Sequence, residues 1–154
     1  MPDYSIRVYQ LNHFLKRLMP DLFYHFKKYQ INPDIFFSKW ILTLFASYLP
    51  FETLAKVWDI FLVVKYFFLF QDKWKSVFRF SLAFLHELKD KLLLMDLNNL
   101  SIFLRENSRT LHGDSNIVIK NAQLYKISNK ELNQLRDNFF LDQIKFKLNV
   151  KLLK

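Results

Sequence analysis

A single glycine, Gly113, in a chain of 154 residues is the feature that most narrows what this sequence can fold into. Hairpin and tight turns rely on residues that accept positive φ, and glycine is the foremost of them. A β-rich chain of this length needs many; this one has one glycine and four prolines. Helices joined by short connections are what remain. The same shortage excludes chemistry. A phosphate-cradling loop uses several glycines to let the backbone approach the phosphates. Neither a P-loop nor a dinucleotide fingerprint can be built here. Cysteine is absent altogether, which removes disulfides, thiol catalysis and thiolate metal sites together and fits a reducing compartment.

The chain can nevertheless bury a core. Hydrophobic residues make up 51% of it, and 18 Phe, 7 Tyr and 3 Trp supply large side chains. No apolar leader is expected between Met1 and Gln10. The longest apolar run, Ile60 to Phe70, is interrupted by Lys65 and is shorter than the ~20 residues a membrane-spanning helix needs. The net charge of +9 comes from Lys and Arg spread between Arg7 and Lys154 without a dense block. That distribution reads as a solvated basic surface rather than a nucleic-acid patch.

Hydrophobic spacing outlines the helices. Val8, Leu11, Leu15 and Leu18 form one stripe, and Pro20 ends that helix and opens the next, Asp21 to Tyr29. Asn32-Pro33-Asp34 is a start signal combining a capping Asn, Pro at the first helical position and an acid in the first turn. The helix it opens is predicted to run to about Leu49. Pro50 and Glu52 start another, with Phe51, Leu54, Ala55, Trp58, Phe61 and Leu62 inward. Trp74, Val77, Phe78, Leu82, Leu85 and Leu88 mark the next stripe, and Leu97, Leu100, Phe103 and Leu104 one more. Residues 105–127 read as a loop-rich connection. Ser128 to Glu131 is a capping-box pattern that opens a final helix with Leu132, Leu135 and Phe139 inward. Phe36, Trp40, Leu44, Trp58, Phe61, Phe78 and Leu82 are expected to share one core.

Unaided, the residues name no catalyst. His13, His25, His86 and His112 lack the i, i+4 spacing of a helical metal pair. His25, between Tyr24 and Phe26, reads as a packed histidine. Glu87 and Asp90 sit at a charged helix end, and Ser5, Ser38 and Ser47 have no nucleophile-elbow motif around them. No cofactor and no metal are expected.

Several blocks are more specific. Pro20-Asp21-Leu22-Phe23-Tyr24-His25 is followed by Ile31-Asn32-Pro33, then Trp40-Ile41-Leu42-Thr43-Leu44-Phe45. Leu49-Pro50, Val57-Trp58-Asp59-Ile60-Phe61-Leu62 and Val77-Phe78-Arg79-Phe80 complete the series. In this order they resemble the second half of the TBC domain, with its "P-x-L-x-x-H", "W-x-x-T-L-F", "L-P", "W-D" and "F-R" blocks. The resemblance covers residues 1–104, and 128–154 is similar to the helical tail that often follows. It implies an all-α fold, the C-terminal helical subdomain of a Rab-GAP domain. The motif positions Pro20, His25, Pro33, Trp40, Thr43, Phe45, Pro50, Lys56, Trp58, Asp59, Phe78 and Arg79 are then mainly structural. Lys56 departs from an arginine the family tends to carry there, and the two are not equivalent at a bidentate contact. Trp40, Trp58 and Asp59 can be read as a contact surface for a Rab, or as two core rings and a local polar contact; the second is preferred.

The resemblance implies a Rab-type small GTPase as partner and a role in vesicle traffic. The location expected is cytoplasmic, peripheral on endomembranes, with no nucleic acid bound. The family supplies an arginine finger from "I-x-x-D-x-x-R" and a glutamine finger from "Y-x-Q". In the stretch from Ile31 to Phe37 a phenylalanine stands where the arginine belongs, and neither Tyr9-Gln10 nor Tyr29-Gln30 has the second spacing. The chain is therefore expected to be a fragment that is not an enzyme and does not itself accelerate GTP hydrolysis. Two alternatives stand beside this reading. The chain is a piece of a complete, active Rab GAP, or it is a basic helical module for anionic membrane or nucleic acid. Genomic sequence upstream of Met1 separates the first pair, and salt dependence of binding isolates the last.

Val64 to Gln71 is apolar and aromatic where a polar helix connection belongs. Its removal joins Val63 to Asp72 and restores the family's spacing before Trp74. Valine can be read from a GT-starting codon and glutamine from CAG, so the segment is expected to be an in-frame intron translated by mistake. Transcript reads should skip these codons; uniform coverage of them in mature message would show a true insertion.

Overall fold

The computed structural model describes the backbone of residues 2–67, 72–106 and 115–152, with side chains for 3–62, 74–105 and 116–150. Among the described residues there are helices and no strand. They are α1 (Pro2–Leu18), α2 (Pro20–Lys28), α3 (Asp34–Thr43), α4 (Phe51–Phe67), α5 (Asp72–Leu93), α6 (Leu97–Glu106), α7 (Ser115–Leu124) and α8 (Asn129–Leu152). The glycine-poor composition thus led to the right class.

Helix α5 is the spine. It packs against α2, α3, α4 and α7, while α8 lies on α1 and α6 on α3. Ser76, Val77, Phe78, Phe80, Ser81, Leu82, Ala83, Phe84 and Leu85 of α5 are all buried. The middle of the helix, Phe80 to Leu85, is buried on every side, while His86, Asp90 and Lys91 further along are exposed. Leu11, Phe14 and Leu15 of α1, Leu22 and Phe26 of α2, and Phe36, Phe37 and Trp40 of α3 close over it.

The start signals work much as their chemistry suggests. Pro20 occupies the first turn of α2. The Asn32 side-chain oxygen accepts the backbone N–H of Asp34 at 3.2 Å, but the N-cap of α3 is Pro33 and the helix starts at Asp34, one residue later than expected. Ser128 Oγ accepts the N–H of Glu131 at 3.1 Å at the head of α8.

Three expectations are corrected. Helix α3 does not run to Leu49. It stops at Thr43, because Leu44 (φ 44°) and Phe45 (φ 67°) turn left-handed, and the chain from Leu44 to Tyr48 forms turns. Leu44 and Trp58 are not core residues: they are 43% and 41% exposed. The connection 105–127 is not all loop. Ser115–Leu124 forms α7, and Val118 and Ala122 are buried where it meets α5. Polar Asn116, Lys120, Asn121 and Gln123 hid that helix, since two buried positions suffice to hold it. Residues 107–114, including His112 and Gly113, lie outside the described residues. So do residues 68–71 of the candidate intron and the side chains of all of it; the backbone of α4 continues to Phe67.

The left-handed pair has a physical reason. A non-glycine residue in that conformation costs about 1–2 kcal/mol. The reversal drops Phe45 into a site where it is fully buried. Its ring lies 4.9 Å from Phe84, 5.9 Å from Trp40 and 6.3 Å from Phe61, the last stacked at 10°. Burying a Phe contributes about 1.5–3 kcal/mol, and each favourable ring pair adds about 0.5–1.5 kcal/mol, so packing outweighs strain. Phe45→Ala should therefore lose about 3–5 kcal/mol of unfolding free energy. Leu44→Gly, which relieves strain at an exposed site, should stay within about 1 kcal/mol of the parent or exceed it. Urea unfolding of the two variants checks both, and a Leu44→Gly loss as large as that of Phe45→Ala would refute the account.

Candidate functional site

The twelve motif positions divide into scaffold and surface. Phe78 is fully buried between Phe14 at 5.2 Å and Phe37 at 5.9 Å. Trp40 is 1% exposed and meets Phe36 at 4.7 Å and Tyr48 at 5.4 Å, edge-on to the latter. Phe45 belongs to the same aromatic cluster. His25 is half-buried. Its Nε2 lies 3.2 Å from the Met95 carbonyl and its ring 5.0 Å from Tyr29, which ties the end of α2 to the α5–α6 turn. Thr43 Oγ1 donates to the Lys39 carbonyl at 2.8 Å and lies 3.0 Å from Ser47 Oγ, bracing the end of α3. Pro20 is exposed, Pro33 buried and Pro50 half-buried; the last accepts the N–H of Leu54 through its carbonyl at 2.9 Å.

Arg79 is half-buried, and its Nε donates to the Tyr125 carbonyl at 3.1 Å. Tyr125 in turn places its hydroxyl 2.9 Å from His86 Nδ1, and burial first, then the charge of Glu87, pushes this phenol up to about 12. Arg79 thereby locks α7 and its following turn onto α5. Arg7 and Arg17 are engaged too. Arg7 lies 4.3 Å over the Trp74 ring and pairs with Asp3 at 3.0 Å, and burial lowers its pKa. Arg17 pairs with Glu131 at 2.9 Å, joining α1 to α8.

Lys56, Trp58 and Asp59 stand on the outside of α4. Lys56 Nζ donates to Asn116 Oδ1 at 3.3 Å, towards α7. Trp58 Nε1 donates to the Leu44 carbonyl at 2.9 Å, so its indole is pinned over the α3–α4 turn with a face left in solvent. The reading of Trp58 as a core ring is therefore corrected: the left-handed turn carries Leu44 outward, and the indole follows the carbonyl that its N–H requires. Asp59 is exposed and has no partner among the described residues, so the local polar contact expected of it is absent.

Helical geometry extends this surface. Phe51, Trp58 and Leu62 fall at i, i+7 and i+11, one face of α4, and are 82%, 41% and 54% exposed. Thr53 and Val57 are buried on the other side. The result is an apolar ridge of Phe51, Trp58 and Leu62, with Leu44 against the indole and Asp59 at its edge. Exposed aromatic ridges with a charged rim are the form that partner surfaces take. Sequence reasoning placed Leu44 and Leu62 inside and assigned Phe51 to the buried face. No local signal separates the two faces of a helix that is apolar nearly all round.

A family model described as the Rab-GTPase-TBC domain matches residues 1–93. The chain is 29% identical over 129 residues to TBC1 domain family member 12 of Xenopus tropicalis, covering 84% of this chain and 18% of that protein. It is 35% identical over 91 residues to TBC1 domain family member 14 of Bos taurus, covering 59% and 12%. It is 26% identical over 146 residues to the Rab GTPase-activating protein eat-17 of Caenorhabditis elegans, covering 94% and 16%. The chain thus spans less than a fifth of the length of these relatives. The expectation that no catalytic activity attaches to this chain's kind is overturned here: the matching family is a Rab-GAP domain and one relative is named a Rab GTPase-activating protein, and stimulating GTP hydrolysis is a catalytic activity. The blocks from Pro20 to Arg79, the all-helical fold they build and the match over residues 1–93 agree, and this chain belongs to the Rab-GTPase-TBC domain family.

Proposed function

We propose that this chain is part of a Rab GTPase activator, with residues 1–104 as its TBC portion and 128–154 as a helical tail, and that the α4 ridge is where it meets the Rab. The observation that carries the reading is Trp58. It is a motif residue, it is 41% exposed, and its N–H is already satisfied by the Leu44 carbonyl. A pre-oriented indole with its polar atom paired offers apolar area at little cost in lost freedom. Tryptophans in such settings are the residues on which interface energy concentrates. Asp59, exposed beside it, gives the ridge a charge that can meet a basic group on the partner. The activity this contact serves is stimulated GTP hydrolysis on the Rab, in which a cation offsets charge on the transferred phosphoryl and an amide orients the attacking water. Among the described residues no helix is long and apolar enough to cross a membrane. A cytoplasmic protein working at the surface of traffic membranes fits that fact.

Binding of the purified chain to a panel of GTP-loaded Rabs tests the proposal. Trp58→Ala should weaken the best complex about ten- to thirtyfold, the range of an interface hot spot. Leu94→Ala, an 88% exposed leucine on the α5–α6 turn, should leave it unchanged. Equal affinity of the Trp58→Ala chain and its parent, with helix content retained, would remove the ridge from the interface.

A further inference from the structure

Helix α8 outruns what it packs on. Leu132, Leu135 and Phe139 lie on one stripe, the first two buried and Phe139 meeting Tyr9 of α1 at 5.5 Å. Every described residue from Phe140 to Val150 is exposed. On the face opposite that stripe stand Leu141, Ile144 and Leu148, at i, i+3 and i+7, each 54–55% exposed.

Charge is sorted around this outward stripe. By helical geometry Lys145 flanks it on one side and Lys147 on the other. From Asn138 to Lys154 the sequence holds four lysines and one acid, Asp142. That acid is turned towards the body, where the Tyr9 hydroxyl donates to it at 3.1 Å. Lys145 and Lys147 have no ion-pair partner among the described residues. The outward face is therefore apolar at its centre and cationic at both edges, with its single carboxylate held on the inner side.

We infer that the distal half of α8 lies on an anionic lipid surface. Leucine and isoleucine would enter the headgroup–acyl boundary, while Lys145 and Lys147 rest their methylene stems on the apolar zone and their ammonium groups among lipid phosphates. A protein groove that took the Leu141–Ile144–Leu148 stripe would need no cation on either flank. A negatively charged membrane matches both the stripe and its two edges. The helix lies on such a surface and does not cross it, because no described helix is apolar and long enough to span. This inference does not depend on Rab binding, since the α4 ridge takes no part in it.

Flotation of the full chain with lipid vesicles tests it. The chain should float with phosphatidylcholine vesicles that contain phosphatidylserine and stay behind with phosphatidylcholine alone, and raising salt should release it. Lys145→Gln with Lys147→Gln should lower the partition coefficient roughly ten- to thirtyfold, as loss of two juxtamembrane cations implies. Ile144→Gln with Leu148→Gln should abolish flotation at any salt. These positions are exposed, so circular dichroism should show helix content unchanged in both. Equal flotation of parent and variants, equal flotation with neutral vesicles, or no flotation alongside self-association through the stripe seen by light scattering would each overturn the inference.

Discussion

The packing of Phe45 against Trp40, Phe61 and Phe84 is the contact on which the rest of this structure turns. It exists because two consecutive non-glycine residues, Leu44 and Phe45, accept a left-handed backbone. Without that reversal α3 would continue along its axis, and α4 could not fold back against α5. The same reversal sends Leu44 outward and presents its carbonyl to the Trp58 indole. A core contact and a surface feature are thus two sides of one turn. Strain there is outweighed by burial, which is how a chain with hardly any glycine still makes a sharp corner.

Helix α5 is the second element everything leans on. Its buried residues meet α2, α3, α4 and α7 at once. Polar connections then fasten the periphery to this spine. His25 reaches the Met95 carbonyl, Arg79 the Tyr125 carbonyl, and Lys89 pairs with Asp21 at 2.6 Å. Most of these side chains are partly exposed, so each adds little to stability. They fix where α2 and α7 sit on the spine, while Arg17 with Glu131 and Tyr9 with Asp142 hold α8 on α1.

The family relationship fits this division of labour. Motif residues such as Trp40, Phe45 and Phe78 hold the scaffold, and Trp58 and Asp59 remain at its surface. A motif read from sequence mixes these two roles, because a buried tryptophan such as Trp40 and a half-exposed one such as Trp58 look alike in a string of letters. The geometry of one hydrogen bond, from Trp58 Nε1 to the Leu44 carbonyl, distinguishes them here.

What the sequence by itself determined was the class and most of the elements. One glycine and many large apolar side chains demanded helices. Pro20, Pro33, Pro50 and Ser128 marked where four of them begin, because proline and capping hydroxyls act locally through the first turn. The block order identified the family. What only the tertiary structure decided was the end of α3, the helix across residues 115–124, and which side of α4 faces out, whereas the inward stripe of Leu132, Leu135 and Phe139 on α8 was legible in its spacing. A left-handed leucine has no local signature, since its cost is offset by rings far along the chain. Helix α7 is held chiefly by Val118 and Ala122 against α5, a contact its own polar residues conceal. Helices apolar on two faces leave their orientation to whichever neighbour packs first, and that choice is a property of the assembled fold.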